Sequence, residues 1–181
     1  IHGNHERRPS RKDGYRTKEI SGDICGKVWY DSHYQNQYFA IDGEVYQILA
    51  DREVLNCLVC GGAYSVDKYY RLERGWNWWP DEQPSEEIKQ YVESQLDRLN
   101  WKVGVVLSHT TPLKYEPIEV FLAGIDQSKV DKSTEEWLDR IEDRLKYEKW
   151  YCGHYHTEKK IDRLEILFEN VSIFCEEQSE I

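Results

Sequence analysis

Apolar positions recur in two rhythms along this chain. Up to residue 60 they come in short runs, at residues 27–30, 38–41, 44–49 and 54–60, each with the length and the β-branched or aromatic content of a strand. Asp42-Gly43, between the second and third runs, is a hairpin turn signal. From residue 85 the period lengthens. Ile88, Tyr91, Val92, Leu96 and Leu99 recur at helical spacing behind Ser85, a good N-cap, with Glu86 and Glu87 where the helix dipole favours anions. A short apolar strand is predicted at 103–107. A second helix is predicted from Ser133, with Glu136 completing a capping box and Trp137, Ile141 and Leu145 forming its stripe. A strand at 149–152 follows. Residues 164–168 and 171–174 then read as a closing hairpin turning at Glu169-Asn170. There is no internal repeat, and the mixture predicts one α/β domain over residues 1–181.

Two stretches lack either rhythm. Arg7, Arg8, Arg11, Lys12, Arg16 and Lys18, broken by Pro9 and Gly14, read as a basic loop. Residues 61–84 carry Tyr64, Tyr69, Tyr70, Trp76, Trp78 and Trp79 between glycines and prolines. They read as a long aromatic loop, either a plug for the core or a functional lid.

Composition narrows the classes. At 181 residues, 39% hydrophobic and 32% charged, the chain can bury a core and is not disordered. It has neither an apolar run of membrane-spanning length nor a leader-like start, so the default location is cytoplasmic. A net charge of −10 disfavours a polymeric nucleic acid as ligand but not a small phosphorylated one, because bound metals can supply local positive charge. Cys57 and Cys60 have CxxC spacing inside an apolar strand and read as buried thiols; no second CxxC exists to form a zinc knuckle.

The histidines change the picture most. Of six, His5, His109, His154 and His156 fall just past predicted strand ends, where α/β sheets gather their chemistry. His154 and His156 are two apart, which in an extended chain turns both imidazoles to one side. His33 sits in a polar turn and reads as a surface residue, His2 reads as structural, and Cys152 as packing.

Gly3-Asn4-His5-Glu6, Ser108-His109 and Gly153-His154-Tyr155-His156, in that order, resemble the last three motifs of the calcineurin-like metallophosphoesterases. Residues 61–68 also resemble bacterial and phage members. The resemblance implies a four-layer α/β/β/α sandwich and two divalent metals, manganese first among manganese, iron, zinc and nickel. It implies that Asn4, His109 and His154 bind one metal and His156 the other. His5 would protonate the leaving oxygen and Glu6 would orient His5. Arg7 or Arg8, next to that acid, is a candidate for holding a phosphate oxygen. Paired metals clamp phosphate oxygens and lower the pKa of a shared water, so the expected activity is hydrolysis of phosphomonoesters or phosphodiesters. The substrate would be a small phosphorylated molecule, a nucleotide or a phosphoprotein.

The family's first two motifs, an Asp-x-His and a Gly-Asp-x-x-Asp, have no counterpart before Gly3. With no methionine in the sequence either, the expectation is a chain that lacks its N-terminal strands and three ligands, and is inactive by itself. Two rivals remain: a non-catalytic binding or scaffold module on the same fold, and a nuclease, which the acidic charge disfavours.

Overall fold

The computed structural model describes residues 1–50 and 53–172. Nine strands and three helices follow one another. Strands β1 (Arg16–Ile20), β2 (Ile24–Tyr30), β3 (Tyr38–Ala40), β4 (Val45–Ala50) and β5 (Glu53–Cys60) lead to helices α1 (Lys68–Glu73) and α2 (Glu86–Arg98). Then come β6 (Val105–Ser108), α3 (Ser133–Glu142), β7 (Lys149–Cys152), β8 (Lys159–Ile161) and β9 (Leu164–Ile166). The fold is mixed α/β with one nine-stranded mixed sheet, ordered β1-β2-β4-β5-β6-β7-β9-β8, with β3 attached to β2. Its centre, β5-β6-β7-β9, is parallel; the flanking pairs are antiparallel.

Strand alternation builds two cores. Leu58 and Cys60 of β5, Val106 of β6 and Trp150 and Cys152 of β7 face Val92 and Leu96 of α2 and Trp137, Leu138 and Ile141 of α3. The intervening residues, Cys57, Val59, Val105 and Tyr151, point the other way and meet Val28 of β2 and Tyr46 of β4. A parallel strand buried on both faces must be apolar at successive positions, which is why 57–60 and 105–106 carry unbroken apolar runs. The Cys57 and Cys60 thiols are free, and burial pushes both up to about 12. No helix among the described residues is long and apolar enough to cross a membrane.

The structure departs from the sequence pattern in five places. The basic stretch contains β1, which pairs with β2 from Arg16↔Tyr30 to Ile20↔Gly26. Its lysine is accommodated because the Lys18 ammonium lies over the rings of Tyr30 and Tyr38, at 5.0 and 4.4 Å from their centroids. The aromatic stretch contains α1. Asp42-Gly43 does turn, with Gly43 at φ 82° and Glu44 N–H donating to Ile41 O at 3.1 Å, but it closes no hairpin. β3 pairs with β2, and β4 with β5 and the start of β2; the turn itself is tied to β5 by Gly43 N donating to Val59 O at 2.8 Å, while the Asp42 carboxylate accepts from Gly61 N and pairs with Arg8. Ser133 is the first residue of α3, not its cap, and its N–H is taken by Asp131 Oδ1 at 3.0 Å. Finally, 164–166 is a strand, but its hairpin partner is β8, across a turn at Asp162 (φ 52°). Val171 and Ser172 are not in a strand, and 173–174 of the expected partner lie outside the described residues.

Candidate active site

The parallel strands all end at one edge of the sheet. Chain continues from β5 into Gly61, from β6 into His109, from β7 into Gly153-His154-Tyr155-His156 and from β9 into Leu167-Phe168. Backbone hydrogen bonds stitch these exits together: His109 N to Cys60 O (2.9 Å), Gly153 N to His109 O (3.0 Å) and Leu167 N to Cys152 O (2.8 Å). The N-terminal segment runs alongside, with Gly62 N donating to His2 O at 2.9 Å, so Asn4 arrives at the same edge.

Three side chains converge there. His109 Nε2 lies 2.8 Å from Asn4 Oδ1 and 3.3 Å from His154 Nδ1. The Asn4 amide is oriented by Nδ2–H donation to Ser65 Oγ at 2.9 Å, which turns its oxygen toward the imidazoles. Burial, then the neighbouring imidazoles, push His109 down to about 4 and His154 down to about 3. Both rings are therefore neutral at physiological pH, and each keeps one lone pair.

His154 (φ 72°) and His156 (φ 51°) both have left-handed backbone, so the extended-chain argument for a shared side does not apply. His154 turns to His109, while the His156 ring stacks on Phe168 at 4.8 Å between centroids and 21° between planes. Backbone of this kind in non-glycine residues is retained where the surroundings fix it; here the Gly153 and Leu167 hydrogen bonds do so.

His5 is exposed and lies on the same cavity wall. Burial and the Arg71 guanidinium lower its pKa, with Asp67 opposing. Glu6 bends back, Oε1 accepting from Gly3 N at 2.6 Å. Arg7 is paired with Asp13 at 2.5 Å. Arg8 is partly buried and held by Asp42, Gly61 O and Asp81 O. Neither arginine lines the cavity that holds the histidines. His33 is exposed on Asp31 at 2.8 Å, and His2 is buried with both ring nitrogens unpartnered.

That cavity has a volume of about 690 Å3. Asn4, His5, Glu6, His109, His154 and His156 line one end of it. Several other lining residues were silent in the sequence. Asp67 occupies the N-cap position of α1 without a side-chain capping bond, and its Oδ2 accepts from Arg71 Nε at 2.8 Å, leaving Oδ1 buried and unpartnered. Glu135 lies in the first turn of α3, 4% exposed, and burial raises it to about 7. Its one sequence signal is its helical register with Leu138. Of the aromatic stretch, Tyr64 belongs to the lining and the tryptophans do not; Trp78 Nε1 donates to Glu82 Oε2 at 2.7 Å instead.

Among the described residues no three His, Cys, Asp or Glu side chains are grouped to hold a metal ion. The cluster supplies two imidazoles, and its third donor is an amide oxygen. An N2O set of neutral imidazoles and an oriented amide oxygen suits a divalent ion such as manganese, iron, zinc or nickel. His156, on its own, is not part of a second set. No protein-family model, curated protein or solved structure matches this chain.

Proposed function

We propose that the protein is a metal-dependent phosphoesterase whose reacting centre is the Asn4–His109–His154 cluster. The observation that carries this reading is the approach of Asn4 Oδ1, at 2.8 Å, and His154 Nδ1, at 3.3 Å, to His109 Nε2 at the wall of the cavity. Two neutral imidazoles and an amide oxygen this close are three donors that a cation could gather once it displaced the proton His109 Nε2 shares with Asn4 Oδ1. Asn4, His109 and His154 hold one ion in this reading; His156, stacked on Phe168 with no second donor grouped beside it among the described residues, is assigned to none. Bound metal supplies polarisation of a phosphate oxygen and an acidified water. The four-layer sandwich of the calcineurin-like enzymes is part of the same proposal.

The chain's own residues supply the rest. His5, exposed at the mouth, carries the proton that an alkoxide or aryloxide leaving group needs, from an imidazole nitrogen to the departing oxygen. The lowered pKa of His5 makes its conjugate acid a stronger donor. Ser65 fixes the Asn4 amide, and the β6 and β7 exits fix the two imidazoles, so the cluster needs little reorganisation.

The test is a manganese titration of the 181-residue chain, with Asn4→Ala, His109→Ala and His5→Ala beside it, followed by p-nitrophenyl phosphate and bis-p-nitrophenyl phosphate. Saturable binding that is lost in the first two variants and kept in the third is the expected result. Manganese-dependent turnover, where seen, should vanish in His5→Ala. Manganese binding that survives loss of both Asn4 and His109 overturns the reading.

A further inference from the structure

The cavity extends well beyond the histidines. Its lining also includes the apolar bay of Val120, Phe121, Leu122, Ile125 and Val130, together with Glu135. The two ends are continuous through aromatic rings. His154 and Tyr155 have centroids 5.0 Å apart, and Tyr155 is stacked on Phe121 at 5.9 Å and 17°. A group bonded to a phosphate at the histidine end would project along this row.

The polar floor forms a chain with one open end. Lys132 Nζ pairs with Glu116 Oε2 at 2.7 Å, and Tyr155 O–H donates to Glu116 Oε1 at 3.3 Å. Thr110 Oγ1 lies 3.3 Å from the Tyr155 hydroxyl and donates to Glu135 Oε1 at 2.8 Å. Glu135 Oε2 is buried and has no hydrogen-bond partner. A buried carboxylate oxygen left this way costs free energy that a ligand donor would recover. Among the described lining residues Lys132 is the one Lys or Arg, and Glu116 already neutralises it. The bay therefore disfavours a leaving group that carries further negative charge.

Resting on the phosphoesterase reading, we infer that this bay is the leaving-group pocket and that it takes a neutral nucleobase. The aliphatic and aromatic walls bury the flat ring, and Glu135 Oε2 accepts from an exocyclic amino group. The substrate class is then a nucleoside monophosphate, bound with its phosphate at the histidines, in preference to di- or triphosphates. A cavity of this size is in the range that encloses such a molecule.

Adenosine is the probe, because it carries the base and the amino donor without any phosphate or need for metal. Its binding to the 181-residue chain is read by amide NMR shifts at pH 8, above the raised Glu135 value of about 7, where the carboxylate is ionised. The expected result is a saturable response at residues 120–130 and 135. N6,N6-dimethyladenosine, which keeps the ring and loses the donor, should bind about tenfold more weakly or worse, as for other lost hydrogen bonds to a charged group. Glu135→Gln, which replaces the open acceptor by a donor, should weaken adenosine to a similar degree, and Phe121→Leu severalfold. Equal binding of the two nucleosides, or a response confined to other parts of the protein, overturns the inference. A parallel titration of the zinc-treated chain with inorganic phosphate, zinc being diamagnetic, read at the His109 and His154 side chains, separates the two proposals. An adenosine response with a silent phosphate titration keeps the base pocket and removes the phosphoester reading. A phosphate response with no adenosine response does the reverse.

Discussion

Arg8 shows how position in the fold sets the role of a charged side chain. Its guanidinium is largely shielded from solvent, paired with Asp42 and donating to the carbonyls of Gly61 and Asp81. These acceptors lie on three separate stretches, so Arg8 ties the N-terminal segment to the turn after β3 and to the end of the aromatic stretch. Burial lowers its pKa to about 10, still well above neutrality, so it stays charged. Removing one partner of a buried pair strands the other. Arg8→Ala should therefore lower stability by about 3–5 kcal/mol in urea denaturation. An Arg8→Ala protein of unchanged stability would show that the pair carries no structural load. Arg7, exposed and paired only with Asp13, should tolerate the same change with a loss within about 0.5 kcal/mol.

At the scale of elements, turn and exit geometry matters more than strand propensity. β5 leaves the sheet through Gly61 and Gly62, and Gly62 sits at φ 89° while its N–H bonds His2 O. A Cβ there would overlap the Glu82 carbonyl oxygen and the Arg8 guanidinium. Gly62→Ala combines left-handed backbone with a backbone clash, and should cost more than about 2 kcal/mol. It should also misplace Asn4, because the residue 2–62 hydrogen bond sets where the N-terminal segment lies. Chemical denaturation and the manganese titration on the same variant read both effects, and a variant with wild-type values in each would remove this account. α2 behaves more simply. Ser85 caps it as its sequence suggests, Oγ accepting from Ile88 N at 3.4 Å, and Val92 and Leu96 enter the core.

For the whole molecule, the two cores and the buried titratable groups set how stability depends on pH. In the metal-free chain His2, His109 and His154 are held near 3, 4 and 3, below their unfolded value of 6.5. The unfolded chain binds more protons between those limits. Their contribution is thus full above pH 6.5 and is lost as pH falls toward 3–4. Glu135 runs the other way: raised from 4.5 to about 7, it favours the folded state below about 4.5, and that advantage is lost as pH rises through 7. Stability should climb from pH 4 to 6.5, because three histidines oppose one carboxyl. Glu135→Gln should then stabilise the protein at pH 8 by about 3 kcal/mol relative to its effect at pH 4. Thermal unfolding across this range checks both limbs, and a Glu135→Gln difference independent of pH would show that the carboxyl does not titrate between the two states.

The sequence by itself determined the elements whose signal is local. The α2 cap and stripe, the apolar strands around 57–60, 105–107 and 149–152, and the placement of His109 and His154 just past strand ends all follow from short-range pattern. Periodicity and capping depend on neighbours within a turn or two, which a linear reading sees. Only the tertiary structure decided the rest. β1 forms from a basic stretch because the rings of Tyr30 and Tyr38 receive the Lys18 ammonium. Asp42-Gly43 closes no hairpin, its turn being tied to Val59 of β5 and its carboxylate to Gly61 and Arg8. His156 parts from His154 because the backbone there is left-handed and Phe168 arrives from β9. The cavity floor at Glu135 is equally invisible in sequence, since a buried glutamate and a solvated one are spelled alike in the first turn of a helix. In each case the deciding partner is distant along the chain, and long-range contacts, not local preference, fix where the side chain goes.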